Sequence, residues 1–280
     1  MHNRARLIGF YLNLLSINLI QPNMKLIKSF NFNTILNRKS YFALALALPV
    51  IASAQKKVAN QDLLWYGYYL TAKIGKNSEI LGEVQERQYI NPSAQHQLII
   101  RAKYRHKLVR NWKVSGGMTL FLQSPNDPRS ESNLIVPELR PDFGIETKKD
   151  FKYFSISNRF LTELRIFHNV DDDNDRLASG YTFGNFRFRY QFGIDVPIVK
   201  FQNINKSQLA LRFRDELFIN AGPAVDENTF DQNRISGSVY YKVNKHIGLE
   251  LGYMNWYQRR ATGNSYYDRD IIRFSFHHTL

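Results

Sequence analysis

Charged side chains of both signs recur along this 280-residue sequence at positions that alternate with apolar ones. The basic members are mostly arginines, whose planar guanidinium groups stay charged and donate paired hydrogen bonds to carboxylates and phosphates. The candidate set consists of Glu83, Arg87, Arg101, Arg105, Glu138, Arg140, Arg159, Glu163, Arg187, Arg189, Arg212, Arg214, Glu216, Arg234 and Glu250. Basic members outnumber acidic ones. The set therefore predicts either a passage or binding site for a small anionic solute, or a self-neutralising network that plugs the interior.

These side chains need strands to bring them to one face, and the clearest strand is residues 185–194. Successive side chains of a strand point to opposite sides. One face carries Phe186, Phe188, Tyr190, Phe192 and Ile194, and the other carries Arg187, Arg189 and Gln191. An aromatic face opposite a cationic one is typical of a membrane-spanning barrel strand, with lipid outside and a polar interior.

Similar segments alternate with turn signals from residue 62 to Leu280 and predict an all-β fold, a closed antiparallel up-and-down transmembrane β-barrel. Short connections near Asn111 and Asn244 alternate with longer ones near Asp127 and Asp173, as expected for tight periplasmic turns and longer outer loops. Eleven strand-like segments can be counted, but single-chain bacterial barrels usually have an even number. We therefore predict ten strands if segment 63–74 does not span, or twelve if one strand is missed.

The N-terminal region has the pattern of an export signal. An apolar run at residues 41–51 follows Arg38 and Lys39 and precedes Ala52-Ser53-Ala54, which predicts a signal peptide cleaved after Ala54. The run is shorter than the roughly 20 apolar residues that a membrane-spanning helix needs. An uncleaved N-terminal helix is the alternative.

The predicted organisation has three parts: an N-terminal extension with the signal peptide at residues 1–54, a short segment at 55–61, and the barrel domain at 62–280. Met24-Lys25 begins a complete signal peptide by itself, so translation starts at either Met1 or Met24. The expected location is the outer membrane.

Composition excludes several classes of chemistry. The absence of cysteine excludes disulfides, thiolate metal ligands and a cysteine nucleophile. The formal net charge is +14, and because residues 1–54 contain six basic and no acidic residues, the predicted mature chain keeps +8. That excess is compatible with outer-membrane lipid headgroups or a small anionic solute as partner. Nucleic acid is not an expected partner of an exported chain.

Two other arrangements were weighed as sites. Asp171, Asp173 and Asp175 alternate in an acidic loop and allow loose divalent-cation binding, but Arg176 and Thr182 replace the glycine and glutamate of a calcium loop, which favours a solvated loop. His168 beside this loop is the basis of the alternative function, an outer-membrane rim hydrolase using nearby acidic residues. We predict no catalytic residues, no metal and no cofactor.

The last strand and the aromatic residues near strand ends also carry location signals. Phe274, Phe276 and Leu280 alternate in a pattern similar to the C-terminal signal read by the barrel-insertion machinery, and His278 departs from it. The residues predicted to form aromatic girdles at the membrane interfaces are Trp65, Trp112, Trp256, Tyr257, Tyr266 and Tyr267. The alternative for these rings is the core of a soluble sandwich.

Several short stretches resemble a known family. They are Trp65, residues 83–87, Arg187-Phe188-Arg189, residues 214–218, Gln232-Asn233-Arg234 and residues 249–253. They look like an uncharacterised family of bacterial exported barrel proteins, described as a domain of unknown function, over about residues 62–280. The resemblance implies an outer-membrane barrel and implies no substrate.

Overall fold

The computed structural model describes residues 57–109, 111–173, 175–202, 206–223, 225, 229–260 and 265–280. The predicted signal peptide and its cleavage site lie outside the described residues. Eleven strands are formed: β1 Lys57–Lys73, β2 Ser78–Tyr89, β3 Ala94–Lys107, β4 Trp112–Gln123, β5 Val136–Asp150, β6 Ser155–Val170, β7 Leu177–Lys200, β8 Gln208–Ala221, β9 Phe230–Lys242, β10 Ile247–Arg259 and β11 Ser265–Thr279. Within the described ranges, no helix has the length and apolar character needed to cross a membrane.

The strands close into a single barrel in the order β1-β11-β10-β9-β8-β7-β6-β5-β4-β3-β2. Neighbours in the chain pair antiparallel, but β1 and β11 pair in parallel from Lys57↔Ser265 to Thr71↔Thr279. The all-β closed barrel is confirmed, and the prediction of ten or twelve strands is wrong because the wall has eleven. An even number is required only if the closing pair is antiparallel, and a parallel pair also satisfies the backbone groups of both edges.

The first strand is longer than predicted and is a full member of the wall. Segment 63–74, which a ten-stranded barrel would leave as non-spanning, pairs with β11 on one side and with β2 on the other. The strand also begins at Lys57, so residues 57–61 of the predicted separate segment belong to the barrel wall. Residues 57–61 show no clear alternation of apolar and polar side chains, but β11 supplies a paired edge for them.

The two ends of the barrel differ in their connections. We call the end bearing connections 90–93, 124–135, 171–176, 222–229 and 260–264 the loop end, and the end bearing 74–77, 108–111, 151–154, 201–207 and 243–246 the turn end. The longest connection, 124–135, lies at the loop end. Because the strand number is odd, β1 begins at the loop end and β11 finishes at the turn end.

The two faces of the wall differ in the way that strand alternation predicts. On β7, Phe188 is 45% exposed on the outside whereas Arg187 is 4% exposed on the inside. The same outward placement of apolar side chains holds for Phe213, Leu251 and Phe274 on other strands. The barrel thus presents an apolar exterior and encloses charged groups.

An apolar cluster also lies inside the barrel, toward the loop end. It consists of Leu63, Trp65, Tyr89, Met254, Trp256 and Ile271. The rings of Trp65 and Trp256 meet edge to face with centroids 5.8 Å apart. The assignment of these two tryptophans to an exterior girdle is wrong, because both share the inward parity of their strands and are almost fully buried. Trp112 does face outward and is 45% exposed.

Candidate functional site

The barrel encloses a central cavity of about 300 Å³ at mid-height. Its charged lining consists of ten arginines, three glutamates and one histidine: Arg87, Arg101, Arg140, Arg159, Arg187, Arg189, Arg212, Arg214, Arg234, Arg273, Glu83, Glu216, Glu250 and His277. Trp65, Tyr69, Phe121 and Phe218 line it as well. Most of these side chains belong to the predicted charge set, and Arg273 and His277 lie outside it.

On the β5 to β8 side of the wall, ion pairs are buried and interlinked. Glu138 accepts hydrogen bonds from Arg140 and Arg165, each at 2.6 Å. Glu163 and Glu216 both pair with Arg189, each at 2.7 Å, and Glu216 also pairs with the guanidinium of another strand, Arg159, at 3.0 Å. These cross-strand contacts follow from the register, which places Glu163 opposite Arg187 and Gln191 opposite Glu216.

Other arginines of the cavity pair with carboxylates on adjacent or next-but-one strands. Arg101 pairs with Glu83 at 2.6 Å, and Arg212 pairs with Glu250 at 2.8 Å. Glu250 also lies 3.1 Å from His277. Toward the turn end, Arg105 pairs with Glu79 at 2.9 Å and with Glu146 at 3.1 Å, outside the central cavity.

Two carboxylates that pair with arginines of the central cavity were missed by sequence reasoning. Asp195 pairs with Arg214 and lies on the same face of β7 as Arg187 and Arg189, so strand parity carried the signal. Asp231 pairs with Arg187 at 3.0 Å. Its position next to an irregularity in the β8–β9 register gave no signal, because such a bulge breaks the alternation on which parity depends.

Three arginines of the central cavity differ from the other seven. Arg87, Arg234 and Arg273 have no carboxylate within ion-pair distance among the described residues, whereas the others each pair with at least one. Their guanidinium carbons lie 3.7, 5.6 and 5.7 Å from the ring centroid of Trp65, respectively. We call Arg87, Arg234, Arg273 and Trp65 the tryptophan–arginine cluster.

The hydrogen bonds of this cluster are made to neutral groups. Arg87 donates to Gln85 Oε1 at 2.8 Å and to Gln97 Oε1 at 2.7 Å. Arg273 donates to the Tyr69 hydroxyl at a long 3.4 Å. Arg234 Nε and Trp65 Nε1 are buried and have no hydrogen-bond partner in the part of the chain that the structure describes.

Strand register explains how the cluster forms. Trp65 of β1 is the direct cross-strand neighbour of Arg87 on β2 and of Arg273 on β11. Arg234 of β9 is in turn the neighbour of Trp256 on β10, whose ring contacts Trp65. The parallel closure between β1 and β11 therefore places two arginines on the two sides of one tryptophan.

Two smaller cavities lie above and below the central one. The loop-end cavity has a volume of about 200 Å³ and shares Arg87, Phe121, Arg140, Arg187 and Arg234 with the central cavity. The turn-end cavity, of about 250 Å³, shares Tyr69, Glu83, Arg101, Arg159 and His277 with it. The interior is thus divided at two levels by charged and aromatic side chains.

The acidic loop is organised by its own contacts. Asp171 accepts hydrogen bonds from the backbone amides of Asp175 at 3.0 Å and Arg176 at 3.3 Å, and the Arg176 side chain pairs with Asp175 at 3.2 Å. A side-chain hydrogen bond with Asp175, aided by these amides, lowers the pKa of Asp171. Among the described residues, no group of three acidic, histidine or cysteine side chains is arranged to hold a metal ion.

His168 lies apart from the central cavity. Its Nδ1 is 3.0 Å from the backbone oxygen of Asn169, and its ring packs edge to face against Tyr181 with centroids 4.6 Å apart. Within the described ranges, no serine or carboxylate lies at hydrogen-bond distance from it. The arrangement that the hydrolase alternative needs is not among the contacts of this histidine.

Comparisons with known proteins give a family and no relative of known role. A family model described as "Protein of unknown function (DUF2490)" matches residues 63–267. No curated protein and no solved structure matches the chain. The matched range runs from the first strand to the last and contains most of the residues that line the central cavity. The chain therefore belongs to the DUF2490 family of proteins of unknown function, as its motifs predicted.

Proposed function

We propose that this chain is an outer-membrane β-barrel that binds a small anionic ligand inside its lumen and does not conduct ions continuously. The observation that carries the proposal is the central cavity at the middle of the closed barrel, where ten arginines line the wall and three of them have no carboxylate within ion-pair distance among the described residues. Such an excess of fixed positive charge, enclosed by low-dielectric walls, raises the local concentration of anions.

A membrane location is supported by the outer face. Phe188, Phe213 and Leu251 are 45%, 49% and 51% exposed on three different strands. Soluble proteins rarely expose contiguous apolar surface on this scale. A closed barrel also pairs every strand edge, which the hydrocarbon region requires because no water is present to bond free backbone groups. The signal-peptide pattern ending at Ala52-Ser53-Ala54 supports export.

The division of the lumen supports binding over steady passage. Buried ion pairs occupy the interior, such as Arg189 with Glu163 between adjacent strands and Arg140 with Glu138 along β5. The apolar cluster around Trp65 and Trp256 occupies part of the lumen toward the loop end. Barrels of this size are largely filled by their own side chains. The proposal therefore combines a barrel plugged by its own side chains with a binding site for a small anion in the central cavity.

An anion passage is the second candidate function. It is favoured by one observation, that arginines such as Arg87, Arg140 and Arg187 border both the central and the loop-end cavity, so rotamer changes alone would connect the two. Purified protein in a planar bilayer distinguishes the candidates. We expect no steady current, together with a rise in melting temperature when multivalent anions are added. A stable anion-selective current would establish the passage instead.

A further inference from the structure

We infer that the tryptophan–arginine cluster binds a phosphate group, either inorganic phosphate or a small phosphate monoester, at the wall of the central cavity. This inference deepens the proposed function and rests on it, because it names the site and the chemical class of the anion. It is drawn from the contrast between three arginines without carboxylates and seven neighbours that have them.

The positive charge of the cluster is not balanced by nearby carboxylates. Elsewhere around the cavity a guanidinium group is matched by a carboxylate, as Arg101 is by Glu83 and Arg212 by Glu250. Arg87, Arg234 and Arg273 bring three like charges around one indole ring without such a match among the described residues. The quadrupole of an aromatic ring offsets only part of one cation's charge. An anion with more than one negative charge is the ligand that compensates this cluster.

Several hydrogen-bond donors of the cluster lack a good acceptor. The cluster contains two buried N–H groups, Arg234 Nε and Trp65 Nε1, without an acceptor in the described part of the chain. Arg273 reaches only the Tyr69 hydroxyl, at 3.4 Å. Buried donors normally have acceptors, and leaving one without a partner is costly. Arg234 Nε and Trp65 Nε1 are therefore donors without an acceptor on two residues that line the cavity.

The charge and the number of oxygens favour a phosphate group over a carboxylate as the ligand. A phosphate monoester carries about −1.5 to −2 charges near neutral pH and three strong acceptor oxygens. Three guanidinium groups, each able to donate in a planar fork, match three oxygens on one centre. A single carboxylate has two oxygens and one charge, which leaves cationic charge of the cluster uncompensated.

The volume of the cavity limits the size of the ligand. The central cavity of about 300 Å³ lies at the lower limit of the roughly 300–1,000 Å³ that is typical of small-molecule sites. It accommodates a phosphate with a small organic group and is too small for an oligosaccharide or a lipid. Phe121 and Phe218 also line this cavity, and the Phe218 ring centroid lies 4.7 Å from the guanidinium carbon of Arg234.

The test uses the mature protein refolded in detergent, with thermal unfolding and titration calorimetry measured against inorganic phosphate, phenyl phosphate, acetate and chloride. Arg87→Gln, Arg234→Gln, Arg273→Gln and the triple variant probe the cluster. Arg212→Gln is the matched control, because this arginine lines the same cavity but pairs with Glu250. Arg176→Gln, on an exposed loop, controls for loss of one surface charge.

We expect phosphate and phenyl phosphate to raise the melting temperature of the wild-type protein, and acetate and chloride to have little effect. Each single cluster variant should raise the Kd for phosphate at least about tenfold, because hydrogen bonds to charged groups are among the stronger hydrogen bonds in proteins. The triple variant should lose the phosphate response and melt higher than the wild type without ligand, since three repelling charges are removed. Arg212→Gln should melt lower and keep most of the response.

Four outcomes would overturn the inference in different ways. If the triple variant still responds to phosphate, the site is elsewhere and the proposed function stands. Should the triple variant fail to refold, the single variants are used for the same comparison. A fall in ligand-free melting temperature as large as that of Arg212→Gln would show that the guanidinium groups are structural. If carboxylates bind through the cluster and phosphate does not, the chemical class is wrong. If no anion stabilises the wild type, the inference and the proposed ligand-binding function both fail.

Discussion

Lys57 of β1 pairs with Ser265 of β11 at the loop end of the barrel, and fourteen residues further along each strand Thr71 pairs with Thr279 at the turn end. The seam that closes the wall is therefore parallel. Its first consequence is that the beginning of β1 and the end of β11 lie at opposite mouths. An even-stranded antiparallel barrel would place them at the same mouth.

This topology predicts the exposure of single cysteines introduced into the naturally cysteine-free chain. If the loop end faces outward, Lys57→Cys and Ser130→Cys should react with a membrane-impermeant maleimide on intact cells. Lys76→Cys and Lys245→Cys, at the turn end, should react only after permeabilisation. Labelling of Lys57→Cys together with the turn-end pair would contradict the parallel seam.

The exterior predicts a large penalty for a cation. Phe188→Arg places a charge on the outer face of β7 at the strand centre. In a lipid-embedded barrel this should cost about 2–4 kcal/mol of folding free energy. The measurement is the fraction of heat-modifiable folded protein on a gel, with folding in lipid vesicles. Phe188→Leu is the control and should fold normally. Equal folding of the arginine variant would count against a lipid-facing exterior.

The buried ion pairs predict a non-additive mutational response. Arg189 is largely buried and joins Glu163 to Glu216, so Arg189→Gln strands Glu163, while Glu216 keeps its pair with Arg159. Breaking one partner of a buried pair typically costs about 3–5 kcal/mol. Adding Glu163→Gln to Arg189→Gln should restore part of that loss, because the stranded charge is removed. The readout is urea unfolding in detergent, and strictly additive losses would argue against the contact.

The same network predicts the electrical behaviour of a multiply neutralised barrel. Replacing Arg187, Arg189, Arg212 and Arg214 together by glutamine removes the arginine partners of Asp195, Asp231, Glu163 and Glu250. We expect lower stability and, in planar bilayers, still no steady anion current. A wild-type anion current that this quadruple change abolishes would instead identify the arginines as the lining of an open path.

The difference between the predicted and observed strand number has a specific cause. The sequence contains eleven strand-like segments, and counting them was correct. The correction to ten or twelve came from an expectation about closure, and closure depends on which edges meet. Whether β1 pairs with β11 in parallel is decided by contacts between segments about 200 residues apart, which have no local sequence signature.

The candidate site divides in the same way. Strand parity placed Arg87, Arg187 and Arg234 on the polar face, and all three line the central cavity. Parity could not tell that Arg187 would have a carboxylate in Asp231 while Arg87 and Arg234 would have none, because partners are chosen across strands. It also could not tell that Trp65 lies inside, since a tryptophan near a strand end fits an interface girdle as well.

The sequence by itself determined the class of fold, the strand segments and the separation of an aromatic face from an arginine-bearing face, because side-chain direction in a strand alternates residue by residue and can be read locally. The tertiary structure decided the strand number, the orientation of the closing pair and the assignment of each arginine to a carboxylate or to none. Those properties depend on register between distant strands and on the shape of the space they enclose. The tryptophan–arginine cluster exists only because β1, β2 and β11 meet with Trp65 directly between Arg87 and Arg273.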